Sequence, residues 1–202
     1  MQKPIGVLGG TFNPVHNGHL AMARAALLQC NLSKVIFLPN GNPPHKIGEA
    51  IASPEHRLNM VKLAIDGTDA FEVCDYELNR AEPSYTVHTN REFKRRYDCP
   101  VHFIIGADSL YTLSKWYCYE ELVRECSFIV ADRQSRYGSD VAKACREHNQ
   151  KGGSAILLSM SAIDVTSTDI RLILKNGGDA SKYLPSSVDE YIKAHNLYQT
   201  EV

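Results

Sequence analysis

The sequence predicts an α/β fold: a doubly wound, mostly parallel sheet with helices on both faces. Three observations carry that expectation. Short apolar runs of four to eight residues alternate with longer amphipathic segments along most of the chain, the order that builds crossover units. The first run ends in Gly9-Gly10 and opens at once into an alanine- and leucine-rich segment, a strand–turn–helix junction. The 202 residues, 44% of them hydrophobic, suffice for one sizeable core, so 1–202 is read as one domain whose part from about 160 to 202 is a helical subregion.

Taken in order, Ile5 to Leu8 reads as the first strand and Leu20 to Gln29 as the first helix. Lys34 to Pro39 is a second buried strand, followed by a loop, Asn40 to Lys46, dense in turn formers. Ser53 caps a helix with Pro54 at its first position, running to about Asp66; Leu58, Val61 and Ile65 form its buried stripe and Arg57 and Lys62 face out. Phe71 to Leu78 alternates as a third strand. Ser84-Tyr85-Thr86 opens a helix to about Tyr97, with Ser84 a candidate N-cap. Val101 to Ile105 is a buried strand ending at Gly106-Ala107-Asp108, and Leu113 to Trp116 reads as loop. Helix Tyr119–Cys126 and strand Ser127–Ala131 follow, ending at Asp132-Arg133. Ser135 to Gly153 reads as a polar surface excursion with one helical stretch, Asp140–His148, and Ala155 to Met160 as the last strand. Thr166 or Ser167 caps the next helix, Asn176-Gly177-Gly178 stops it, and Ser186 to His195 forms a final helix with a structural role.

Composition excludes several classes. A formal charge of −1 with mixed signs argues against a nucleic-acid partner or a membrane surface, and Lys94-Arg95-Arg96 is read as a solvated helix face. The six cysteines show neither C-x-x-C nor zinc spacing, and Cys30, Cys74 and Cys126 lie by apolar runs as buried free thiols. With no signal peptide and no long apolar span, the expected location is cytoplasmic. There is no G-x-x-x-x-G-K-[ST] and no G-x-G-x-x-G, which removes P-loop phosphotransfer and a standard dinucleotide dehydrogenase.

What remains is the junction from Gly9 to His19. A strand, a glycine turn and a helix start aim backbone N–H groups and the positive helix end at one point, where an anion is welcome. Gly9 and Gly10 are expected to make the tight turn. His16 and His19, three apart, lie on one side of the helix start with Gly18 between them, and two imidazoles there can donate to phosphate oxygens. Either histidine alone would be a helix cap or a surface residue; the pair inside this string is not so easily dismissed. Strand–helix–strand order puts the Asn40–Lys46 loop at the same sheet edge, so Lys46 could reach the same anion, with His45 beside it. Gly106 and Asp108 end a strand across the expected switch point, Tyr85 and Thr86 open a helix after another strand, and Arg133 follows a third. Ser167, Thr168 and Arg171 could form a second anion site. Each has a plain alternative, as a cap or a solvated side chain.

The string Gly9-Gly10-Thr11-Phe12-Asn13-Pro14-Val15-His16-Asn17-Gly18-His19 resembles the signature of the H-x-G-H nucleotidyltransferases, in the form found in the bacterial nicotinate mononucleotide adenylyltransferases. Pro43-Pro44-His45-Lys46, Ser84-Tyr85-Thr86, Gly106-Ala107-Asp108 and Val165-Thr166-Ser167-Thr168-Asp169-Ile170-Arg171 resemble that family's further motifs. The resemblance implies a Rossmann-like nucleotidyltransferase that makes nicotinate adenine dinucleotide and pyrophosphate from ATP, with Mg²⁺, and nicotinate mononucleotide. It implies His16, His19, Lys46 and Arg171 as catalytic residues and Gly9, Gly10, Thr11, Phe12, Gly18, Gly106, Asp108, Ser167 and Thr168 at the ATP. It assigns Tyr85, Thr86 and Trp116 to the mononucleotide, with Trp116 stacking on the pyridine and Tyr117 adjacent; Arg133, by its place at a strand end, could hold the mononucleotide phosphate; no protein metal site is expected. Nicotinamide mononucleotide or phosphopantetheine as acceptor, and a nucleotide-binding module without turnover, are the alternatives; a homo-oligomer is left open.

Overall fold

Six strands hydrogen-bond into one sheet in the order β3-β2-β1-β4-β5-β6, all parallel. They are β1 (Ile5–Gly10), β2 (Lys34–Pro39), β3 (Phe71–Val73), β4 (Val101–Gly106), β5 (Ser127–Ala131) and β6 (Ser154–Leu158). The computed structural model describes residues 2–41, 51–80, 82–132, 140–160 and 165–199. The helices are α1 (Asn17–Gln29), α2 (Pro54–Ile65), α3 (Thr86–Arg96), α4 (Ala107–Thr112), α5 (Tyr119–Glu125), α6 (Asp140–Gln150), α7 (Ser167–Lys175) and α8 (Ser186–Ala194). From β1 the chain winds one way through β2 and β3, then returns to β1's other side at β4 and winds outward. The switch point therefore lies between β1 and β4, and the crevice beyond their carboxyl ends is where such sheets bind ligands.

Alternation along the strands makes two cores. Leu8, Phe37, Ile104 and Ile129 face one way and are covered by apolar side chains of α1, α2, α7 and α8, among them Leu20, Val61, Ile170 and Val188. Ile5, Val7, Ile36, Phe103, Phe128 and Val130 face the other way, under α3 to α6. Strands buried on both faces read as unbroken apolar runs, which is why KVIFLP and VHFII were legible. At Gly6 a Cβ would stand 2.8 Å from Leu32 Cδ1 and 3.0 Å from Ile104 Cδ1, side-chain ends that would have to shift to admit it.

Several expectations need correction. β3 stops at Val73, not Leu78, because the carbonyl of Asp75 accepts the N–H of Leu78 and of Asn79 in a turn. In α2, Arg57 does not face out: it is 1% exposed, while Leu58 is only half-buried and Met60 takes its place in the core. Ser84 is not the cap of α3; Tyr85 holds that position without a side-chain bond. Leu113 to Lys115 form a 3₁₀ turn, and α6 is no surface excursion, since Val141, Cys145 and His148 are buried. Cys126 is buried as expected, and burial pushes its thiol up to about 12, but Cys30 and Cys74 are half-buried. Helix α1 starts at Asn17, a turn earlier than the apolar pattern indicates.

Candidate active site

Gly9 and Gly10 are the last residues of β1, and neither has a positive φ. The bend beyond them is made by Phe12, at φ 49°, so the glycines do not supply the turn. Gly10 is held by proximity instead, because a Cβ would come within 3.1 Å of the Phe12 ring. Gly9 is exposed, and nothing stands within 4 Å of where its Cβ would be. Its missing side chain leaves room over the strand end rather than inside the protein. Phe12 is 1% exposed and packs against Phe37 and, edge-on, against His19 at 5.0 Å between centroids. Asn13–Pro14 is a cis peptide.

His16 is the N-cap of α1, with extended backbone. The N–H of Gly18 donates to its Nδ1 at 3.1 Å, and its own N–H donates to Nδ1 of His19 at 3.2 Å. The two rings lie 3.8 Å apart at 38°. This is a capping box in which both capping side chains are imidazoles. It fixes their chemistry: a ring nitrogen that accepts cannot carry the proton, so in each neutral ring the proton is on Nε2. The motif thus places two Nε2–H groups at the positive end of α1, one on the partly exposed His19 and one on the buried His16.

The turn from Thr11 to Pro14 is braced from three elements. Arg57 of α2 donates through Nη1 to the carbonyls of Thr11 and Asn40, both at 2.8 Å, and through Nε to Ala52 at 3.2 Å. Burial lowers its pKa, yet its described acceptors are carbonyls, not carboxylates. From α7, Ser167 Oγ donates to the Pro14 carbonyl at 2.9 Å and Arg171 Nη1 to that of Asn13 at 2.9 Å, with Nη2 on Thr168 Oγ1 at 3.3 Å. Thr166, not Ser167, caps that helix, in a reciprocal pair with Asp169. The hydroxyls and guanidinium expected to meet an anion are therefore at the right loop, on its backbone. From beyond α8, Tyr198 Oη donates to Asn13 Oδ1 at 2.8 Å. The side chain of Asn13 also accepts the N–H of Ala52 at 3.1 Å and is 1% exposed. Burial raises the Tyr198 phenol well above its ordinary value, against the opposing pull of Arg171 and Arg57.

Sequence reasoning missed Arg57, Asn13 and Tyr198. For Arg57 a signal existed: it lies four before Val61 and three before Met60, in register with the buried stripe. For Tyr198 there was none.

Gly106 ends β4 and is the N-cap of α4, with Asp108 in that helix's first turn, beside the crevice. Tyr85 and Thr86 stand at the start of α3. Tyr85 stacks on Tyr117, 4.3 Å and 23° apart, and His88 meets both rings edge-on. Trp116 is half-buried against the α3–α6 core. Beneath α3, Glu77 is 5% exposed and accepts from Thr89 Oγ1 at 2.5 Å; burial raises its pKa. His45, Lys46 and Arg133 lie outside the described residues. Among the described residues no three His, Cys, Asp or Glu converge as a metal site, and no helix is long and apolar enough to cross a membrane.

Against known proteins, residues 7–173 match the family model described as cytidylyltransferase-like. A Synechococcus sp. (strain JA-3-3Ab) protein named "Probable nicotinate-nucleotide adenylyltransferase" is 43% identical over 199 residues, 98% of this chain and 95% of that protein. A Moorella thermoacetica protein of the same name is 38% identical over 198 residues, 96% of this chain and 91% of that one. Among solved structures, Plasmodium falciparum nicotinic acid mononucleotide adenylyltransferase complexed with NaAD superposes with a TM-score of 0.81 at 20% identity, covering 98% of each chain.

Proposed function

Since the chain belongs to the cytidylyltransferase-like family and, within it, to the nicotinate-nucleotide adenylyltransferases, we propose that it joins ATP to nicotinate mononucleotide, giving nicotinate adenine dinucleotide and pyrophosphate in NAD biosynthesis. A phosphate oxygen of the mononucleotide forms a bond to the α-phosphorus of ATP, and the bond from that phosphorus to the bridging oxygen breaks as pyrophosphate departs. The attacking phosphate is already anionic at neutral pH, so no general base is needed.

The obstacle is repulsion between polyanions. Each like-charge pair at about 4 Å opposes the approach by ~1 kcal/mol in water and ~4 at an effective dielectric near 20. The observation that carries the reading is the imidazole capping box, which fixes both rings as Nε2–H donors beside the first N–H groups of α1. Donors already oriented need no reorganisation as charge grows on the transferring phosphoryl group. In this reading His16 and His19 hold those oxygens, and Arg171 meets the triphosphate from its place on the Asn13 carbonyl. Lys46, assigned by its loop position and by resemblance, and Arg133, by its place at a strand end, add positive charge on the tail and on the mononucleotide. Gly9, Gly10, Gly106, Asp108, Ser167 and Thr168 line the ATP. Tyr85, Thr86, Trp116 and Tyr117 take the pyridine ribotide. ATP enters as its Mg²⁺ complex. Catalysis is positioning and charge neutralisation.

The test is pyrophosphate release from ATP with nicotinate mononucleotide, nicotinamide mononucleotide or phosphopantetheine, each with and without Mg²⁺. The reading expects the highest kcat/KM for nicotinate mononucleotide and dependence on Mg²⁺. Preference for either other acceptor, or nucleotide binding without pyrophosphate release, contradicts it.

A further inference from the structure

Beyond α8 the chain reverses. Asn196 and Tyr198 take φ of 49° and 64°; asparagine adopts this conformation readily, whereas a tyrosine holds it only where its surroundings enforce it. The N–H of Leu197 closes the turn on the Ile192 carbonyl at 3.0 Å, and Leu197 and Tyr198 both pack on the α1–α2–α7–α8 core. The result carries a residue 185 positions away onto the turn between β1 and α1, where Tyr198 Oη donates to Asn13 Oδ1. The backbone carbonyl of the same Asn13 receives Arg171. Because burial keeps the phenol protonated, the hydroxyl stays a donor to that amide oxygen. Asn13 Oδ1 is filled by Tyr198 and by the Ala52 N–H, so its side chain is fixed from two distant segments.

We propose that Tyr198 is a positioning residue of the phosphate site, holding Asn13 and through it the approach of Arg171 to the nucleotide. This rests on the reading of His16, His19 and Arg171 as the phosphate site. The tail thus has a role besides covering the core, and it acts on ATP rather than on the pyridine substrate.

The experiment is steady-state kinetics of Tyr198→Phe, which keeps the ring and removes only the hydroxyl, alone and combined with Arg171→Ala. Loss of one buried hydrogen bond predicts a KM for ATP raised about five- to tenfold, with kcat and the KM for the mononucleotide within about twofold. On the Arg171→Ala background the same change should add less than about twofold, because the two act through one residue. A folded Tyr198→Phe enzyme with an unchanged KM for ATP overturns the proposal. So does a Tyr198→Phe factor that persists in full without Arg171, or one spread equally over all parameters. His19→Ala separates the two claims: if it keeps turnover the phosphate-site reading fails, and if it loses turnover while Tyr198→Phe is silent, only the positioning role fails.

Discussion

Replacing Arg57 by Met should destabilise the protein strongly although no carboxylate partner is lost. The guanidinium makes three bonds to carbonyls, at 2.8, 2.8 and 3.2 Å, and ties the β1–α1 turn to the end of β2 and the start of α2. Bonds from a charged donor contribute about 1.5–3 kcal/mol each, so the gross loss over three is roughly 4.5–9 kcal/mol. Against this stands relief of the desolvation of a buried cation, several kcal/mol. The net expectation is about 2–4 kcal/mol, which in a domain of this size lowers Tm by roughly 5–15 °C. Urea unfolding followed by circular dichroism measures it. Arg57→Lys adds a control: it keeps the charge, but one nitrogen cannot reach both the Nη1 and the Nε acceptors, so its loss should be smaller yet measurable. An Arg57→Met protein within about 0.5 kcal/mol of the parent would refute the bracing argument.

Two further predictions separate binding from folding. Gly9→Ala should leave stability within about 0.5 kcal/mol, since nothing lies within 4 Å of the added methyl and φ is ordinary, while raising the KM for ATP about tenfold by filling the space over the strand end; an unchanged KM removes Gly9 from the site. Burial lowers the pKa of His148, whose Nε2 has no hydrogen-bond partner among the described residues. The unfolded chain therefore takes up a proton first as pH falls below about 6.5, and stability is lost from there down to the folded-state pKa. Melting curves from pH 7.5 to 5 should fall less steeply for His148→Leu than for the parent; parallel curves would contradict it.

The parts of this molecule visible in sequence were those set by local chemistry. KVIFLP, VHFII and SFIVA form β2, β4 and β5 within a residue, because strands covered on both faces are built mostly of apolar side chains. Pro54 after Ser53 marked the start of α2, and the H-x-G-H spacing marked the turn where two rings meet. What escaped was set by contacts distant in sequence. Arg57 reads as a solvated helix charge until Thr11, Asn40 and Ala52 are seen to offer it three carbonyl acceptors. Tyr198 carries no signal in sequence, because only the αL turn brings it onto Asn13. Phe12 was legible as an apolar residue but not as the one that bends the chain, since glycine next door is the usual choice for a tight turn.

Single-turnover pyrophosphate release by His19→Ala, with ATP and nicotinate mononucleotide saturating and the melting transition recorded alongside, probes the donor pair at the start of α1. Loss of one preorganised donor predicts a rate down about 10²–10³-fold in a protein that still melts cooperatively above the assay temperature. A folded variant that releases pyrophosphate at nearly the parent rate would show that the imidazoles cap the helix and do no more.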